Sequence, residues 1–74
     1  MVKATSVTND IRALRAAAGD LTQAALAERI GVTRQTIIAI EQGRYSPSLE
    51  VAFQIAHVLG VPLDDVFHYG GSHS

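Results

Sequence analysis

The sequence predicts a compact all-α domain of five short helices, and three observations carry that reading. Apolar residues recur at three- and four-residue steps, as in Ile11, Leu14 and Ala18. Capping residues and glycines punctuate the chain at helix-length intervals, with Thr22, Thr33 and Ser46 at openings and Gly19, Gly31, Gly43 and Gly60 at closings. The β-branched clusters Val32-Thr33 and Thr36-Ile37-Ile38 are brief and sit between helix stop and start signals, so no strand is expected.

Taken in order, a first helix spans residues 9 to 18, with Thr8 or Asn9 as its cap and Gly19-Asp20 as its end. Thr22 caps a second helix that runs to Arg29 or Ile30, where Gly31 stops it. Thr33 opens a third, which continues to about Gln42 before Gly43. Ser46-Pro47 fits a cap followed by proline at the first helical position, and the fourth helix then extends to Leu59 and Gly60. A last short turn covers Leu63 to Phe67. Residues 1 to 8 read as a disordered arm and residues 68 to 74, ending in Gly70-Gly71-Ser72-His73-Ser74, as a disordered tail.

A chain of 74 residues without cysteine is one domain, and neither disulfides nor thiolate metal sites supplement its core. Folding at this size buries only roughly 60% of the unfolded surface. Stability must therefore come from dense apolar packing, self-association, or both. The opening Met1-Val2-Lys3-Ala4-Thr5-Ser6 has no apolar signal-peptide stretch, and no run approaches a membrane span, so a cytoplasmic location is expected. The formal net charge of −1 weighs against a nucleic-acid partner. Its distribution weighs the other way: all six Lys and Arg precede residue 50, whereas Glu50, Asp64 and Asp65 follow without a compensating Lys or Arg.

The segment from Gln23 to Gln42 meets the demands of a helix-turn-helix. Ala27 supplies a small residue where two helices cross closely, and Gly31 a turn residue tolerant of positive φ. Leu26, Ile30, Val32, Ile37 and Ile40 form the apolar wedge between the two helices. The whole set in one register is a specific signal. With Ile11-Arg12-Ala13-Leu14-Arg15 and Leu21-Thr22-Gln23 before it, and Ile40-Glu41-Gln42-Gly43, Pro47-Ser48-Leu49, Ile55-Ala56 and Leu63 to Phe67 completing it, the chain resembles the lambda-repressor-like family, also called Cro/CI or Xre. The resemblance covers residues 9 to 67, nearly the whole sequence, and no small-molecule-sensing domain is expected.

That resemblance implies double-stranded DNA as the partner and assigns roles. Gln23 is implied to bond a phosphate and buttress the reading helix. Thr33, Arg34, Gln35, Thr36 and Ala39 fall where the family touches base edges, and the chemistry agrees, since Arg suits guanine and Gln suits adenine. Gln42, Arg44, Tyr45 and Ser46 fall in the phosphate-contacting loop. Arg15 and Glu41 correspond to an interhelical ion pair. Three departures stand out. The Gly19-Asp20 turn is one residue longer than the common spacing, which predicts a looser Arg15–Glu41 geometry. Gln42 replaces the usual Asn. Ile38 replaces a polar residue, and either a thymine methyl or a protein neighbour would suit it.

His57, His68 and His73, even with Asp64 and Asp65, match no compact metal-ligand spacing, and no nucleophile-base constellation or glycine-rich phosphate loop is present. No metal, cofactor or enzymatic activity is expected. On a helical wheel of the fourth helix, Leu49, Ala52, Ile55, Ala56 and Leu59 suffice for the core, and Val51, Phe53 and Val58 widen the apolar arc to roughly 220°. Together with Val61, Val66 and Phe67 they predict a homodimer interface. The function read from the sequence is a dimeric repressor on a pseudo-palindromic operator. The rival readings are a protein-interaction adaptor and an antitoxin, whose partner would be a toxin or another regulator.

Overall fold

The computed structural model describes residues 6–44 and 46–70. Their elements, in order, are β1 (Val7–Asn9), α1 (Ile11–Ala17), α2 (Gln23–Ile30), α3 (Arg34–Glu41), α4 (Leu49–Leu59), α5 (Leu63–Val66) and β2 (Phe67–Tyr69). The architecture is all-α apart from a minor two-stranded ribbon.

Local chemistry places the helix ends. The Thr22, Thr33 and Ser48 hydroxyls each accept the backbone N–H three residues on, at Ala25, Thr36 and Val51, and so satisfy one free donor at each amino end. Gly31 closes α2 at φ +79, and its N–H returns to the carbonyls of Ala27 and Glu28. α1 starts two residues later than expected. Asp10 precedes it without a side-chain cap bond, while Asn9 Oδ1 accepts the Ile11 N–H at 3.1 Å.

Ile11, Leu26, Ile37, Ile40, Ile55 and Val66 are fully buried and bring all five helices into one core. Ala27 and Ala56 fill positions where a larger side chain would hold neighbouring helices apart. Fully burying a side chain of this size contributes about 1.5–3 kcal/mol. Among the described residues, no buried side-chain nitrogen or oxygen lacks a partner.

Four sequence-based expectations are corrected. Residues expected in the disordered arm and tail instead pair: β1 and β2 run antiparallel, with Val7 opposite Tyr69, Thr8 opposite His68 and Asn9 opposite Phe67. Three residues are too few for an alternating pattern to register, and their partners lie at the far end of the chain. The remainder of those segments, residues 1–5 and 71–74, lies outside the described residues. α4 opens from Ser48 rather than Ser46, because the Ser48 hydroxyl takes the Val51 N–H and Pro47 lies outside the helix. Leu49, assigned to the core stripe, is 67% exposed, since the first residue of α4 projects past the core. Val66, assigned to a dimer surface, is 0% exposed, because α5, packed on α4, carries it into the core beside the start of α1. The Asp10 N–H to Val66 carbonyl bond, at 2.9 Å, fixes that approach.

These placements separate two isoleucine-sized side chains by consequence. Ile37→Ala should cost about 2–5 kcal/mol in chemical denaturation followed by circular dichroism. Leu49→Ala, measured at a protein concentration low enough to exclude association, should stay within about 0.5 kcal/mol of the parent. Equal losses would show that the wheel was right about Leu49 after all.

Candidate nucleic-acid interface

α2 and α3 cross over a three-residue turn, Gly31-Val32-Thr33. The turn is pinned where the Val32 N–H reaches the Ala27 carbonyl at 3.0 Å, and Val32 packs against the core below it. At about 100° per residue, buried Ile37 and Ile40 define the inner side of α3. The opposite side carries Arg34, Gln35, Ile38, Ala39 and Gln42. Arg34, Gln35 and Gln42 are exposed, whereas Thr36, Ile38 and Ala39 are half-buried.

Side chains, not only packing, hold α3 in place. Arg15 on α1 grips the Glu41 carboxylate with two bonds, Nε to Oε2 at 2.7 Å and Nη2 to Oε1 at 3.2 Å. Gln23, the first residue of α2, donates from Nε2 to Glu41 Oε1 at 2.9 Å. The remaining terminal nitrogen of Arg15 donates to the Leu21 carbonyl at 2.9 Å. The Arg15 and Glu41 side chains are only 14% and 9% exposed, so water screens their attraction weakly. The longer turn after α1 does not loosen this geometry. Gly19 at φ +85 and Asp20 at φ +59 reverse the chain in two successive left-handed steps, which lets the Leu21 N–H return to the Arg15 carbonyl. Aspartate is among the few side chains that adopt this region at modest cost.

The remaining predicted residues lie at the start of α3 and in the loop that follows it, and Ser46 lines a separate groove with Val7, Pro47, Leu63 and Phe67. Thr33 is exposed, but its hydroxyl is committed to capping α3 and lies 3.0 Å from that of Thr36. Arg44 follows Gly43 in the loop after α3, its N–H bonded to the Ala39 carbonyl, and Ser46 is exposed. Tyr45 lies outside the described residues. A cleft between α1, α2 and α3 is lined by Arg12, Arg15, Gln23, Arg34, Ile38 and Gln42, among others, with Glu41 as its acidic member. Sequence reasoning passed over Arg12, although its place three residues before Arg15 puts both on one helix face. It also missed Asn9, whose Nδ2 donates to the Ile40 carbonyl at 2.9 Å and ties the ribbon to the end of α3. No local signal marks that contact.

His57 is exposed, and His68 Nε2 lies 2.9 Å from Asp10 Oδ2. Among the described residues, no three His, Asp or Glu side chains gather as a metal site would require. Among those same residues, no helix is long and apolar enough to cross a membrane.

Two helices crossed over a glycine turn, the second held from behind and exposed in front beside an arginine-lined cleft, define a DNA-binding helix-turn-helix protein. Comparison with known proteins places the chain in that family: the helix-turn-helix family model matches residues 11–66, and the chain belongs to it, with the character of the Cro/CI and Xre transcription regulators. An HTH-type transcriptional regulator of Methanocaldococcus jannaschii is 58% identical over 50 residues, a stretch covering 68% of this chain and 76% of that one. The transcriptional repressor RstR of the cryptic phage CTXphi in Vibrio cholerae is 40% identical over 47 residues, or 64% of this chain and 42% of that one. The crystal structure of a Bacteroides fragilis protein described as DNA-binding superposes with a TM-score of 0.75 at 26% identity, over 84% of this chain and 98% of its own.

Removing Glu41 leaves the Arg15 guanidinium in a largely covered position without its counter-charge. Glu41→Ala should therefore destabilise the domain by about 3–5 kcal/mol in thermal or denaturant unfolding. A loss under about 1 kcal/mol would mean that the three donors around this carboxylate are served equally well by water.

Proposed function

We propose that this regulator binds a specific, pseudo-palindromic operator as a homodimer and represses transcription by occupying it. The observation that carries this reading is the exposure of Arg34 and Gln35 at the amino end of a helix whose opposite face is buried and whose far end is clamped through Glu41. Arg34 suits the O6 and N7 of guanine, and Gln35 the N6 and N7 of adenine. Thr33, Thr36 and Ala39 complete the base-facing set, with the methyls of Thr36 and Ala39 set closer to the helix axis. Gln23 spends one amide N–H on Glu41 and keeps the other for a phosphate, while Gln42, Arg44, Tyr45 and Ser46 fix register along the backbone. With few cations, affinity leans on such directed bonds more than on counterion release. The relationship to a phage repressor favours repression over activation.

For the homodimer, burial reshapes the surface anticipated from sequence. Val66 drops out, and Val51, Val58, Val61 and Phe67 are half-covered by the core. Phe53, at 54% exposure, and Leu49 then form the centre of the patch, bordered by Ile30 and Val58 on one side and by Pro47 and Phe67 on the other. A twofold axis there would set two reading helices on half-sites about one helical turn apart. The net charge of −1 favours a second reading, an adaptor or antitoxin that uses the same fold to hold another protein.

Selection of bound genomic fragments separates the two readings, since an adaptor would enrich no sequence over random DNA. On the selected operator, Gln35→Ala should cost about 1–3 kcal/mol and relax preference at one base position, whereas Arg44→Ala should weaken all sequences alike and reduce the salt slope by about 1. Identical behaviour of the two variants would erase the division between reading and anchoring residues. Sedimentation should show a dimer for the parent chain and a monomer for Phe53→Glu; a monomeric parent at high micromolar concentration removes the twofold model.

A further inference from the structure

We propose that Ile38 is a specificity-determining residue that reads the C5 methyl group of a thymine in the major groove. The inference rests on the DNA-binding reading above and deepens it. On sequence alone, an isoleucine at this position is equally well explained by packing against a neighbour. The structure weighs against that explanation. The partly buried apolar residues that pack on the core are Leu14, Leu21, Val32, Val51, Val58, Val61, Leu63 and Phe67, and Ile38 is not among them. Its neighbours in the helix, Ile37 and Ile40, turn inward and are sealed. Ile38 shares a stripe with Arg34 and Gln42, one turn to either side, and with them lines the cleft beside Gln23 and Arg15.

Ile38 is half-buried, and the surface it leaves uncovered faces a cleft lined by charged and amide groups. Against a duplex it has one natural complement. The thymine methyl is the apolar group that the major groove presents among its donors and acceptors. Isoleucine is also suited to positional reading because its branched Cβ leaves essentially one χ1 rotamer in a helix, so little freedom is lost on contact. Arg34 and Gln42 flank it with groups that bond base edges or phosphates, which sets Ile38 at a fixed depth between two anchoring points.

The test uses the full chain and the operator recovered by selection. Each thymidine is replaced in turn by deoxyuridine, which removes one methyl and leaves base pairing intact. The parent protein should lose about three- to tenfold in affinity at one position per half-site, as expected for an apolar contact of one methyl group. Ile38→Ala should bind the unmodified operator more weakly by a similar factor and be indifferent to deoxyuridine at that position alone. Ile38→Val, which keeps the branched Cβ and the helix, should retain most of the deoxyuridine penalty. Thermal unfolding of each variant separates lost contact from lost fold. A selected operator on which Ile38→Ala keeps every deoxyuridine penalty of the parent overturns the assignment while leaving DNA recognition intact. Failure to select any sequence over random DNA overturns DNA recognition itself, and the assignment with it.

Discussion

One carboxylate sets the geometry of this domain. Glu41 receives two bonds from Arg15 and one from Gln23, so α1, the amino end of α2 and the carboxyl end of α3 meet at a single charged group. Hydrophobic packing alone tolerates small slides of one helix over another, whereas a bidentate guanidinium–carboxylate pair is directional. The orientation of α3 is thus fixed by electrostatics at its far end and by close packing of Ile37 and Ile40 at its middle. Its near end is left free to face a ligand. Position, rather than raw affinity, is what this arrangement secures.

The same economy runs through the rest of the fold. A small domain has little interior, and here the buried core of the described residues is eight large aliphatic side chains and three alanines. No buried side-chain polar atom among the described residues is left unpaired. Polar side chains therefore work at boundaries: hydroxyls cap α2, α3 and α4, and Asn9 bonds both the start of α1 and the end of α3. Cations are concentrated on the half of the chain that carries α1 to α3, and the acidic remainder is carried by α4 and α5.

What could be read from sequence follows from the range of each interaction. Thr22, Thr33, Gly31 and Gly60 act on backbone groups within four residues, and the helix ends they imply are where the structure has them. The sequence Ser46-Pro47-Ser48 offers a cap at either serine, and the structure uses the second, whose hydroxyl accepts the Val51 N–H. Leu49 was misassigned because a helical wheel treats the helix as endless, whereas the core stops short of its first residue. Val66 was misassigned because nothing local reports that α5 packs on α4 and turns this residue into the core. The ribbon was missed for a simpler reason: its two strands are each three residues long and meet across the whole domain. Of the candidate DNA interface, the order and spacing of motifs were enough to nominate residues. The bond that Gln23 makes to Glu41, and the cleft that Ile38 shares with Arg34, required three dimensions.

The ribbon has a consequence for how the chain acquires its structure. His68 and Asp10 touch across a sequence separation of 58, and the strands beside them close almost the entire polypeptide into a ring. Each helix can form from neighbours, but this closure needs two distant ends to find one another, at an entropic cost that local contacts do not bear. It belongs, on that ground, among the late events of folding and the early events of opening. Because Asp10 and Val66 bond within the same seam, unzipping it would release the start of α1 from the end of α5 before the crossed helices part. The crossed helices would then outlast the clasp that completes the globule.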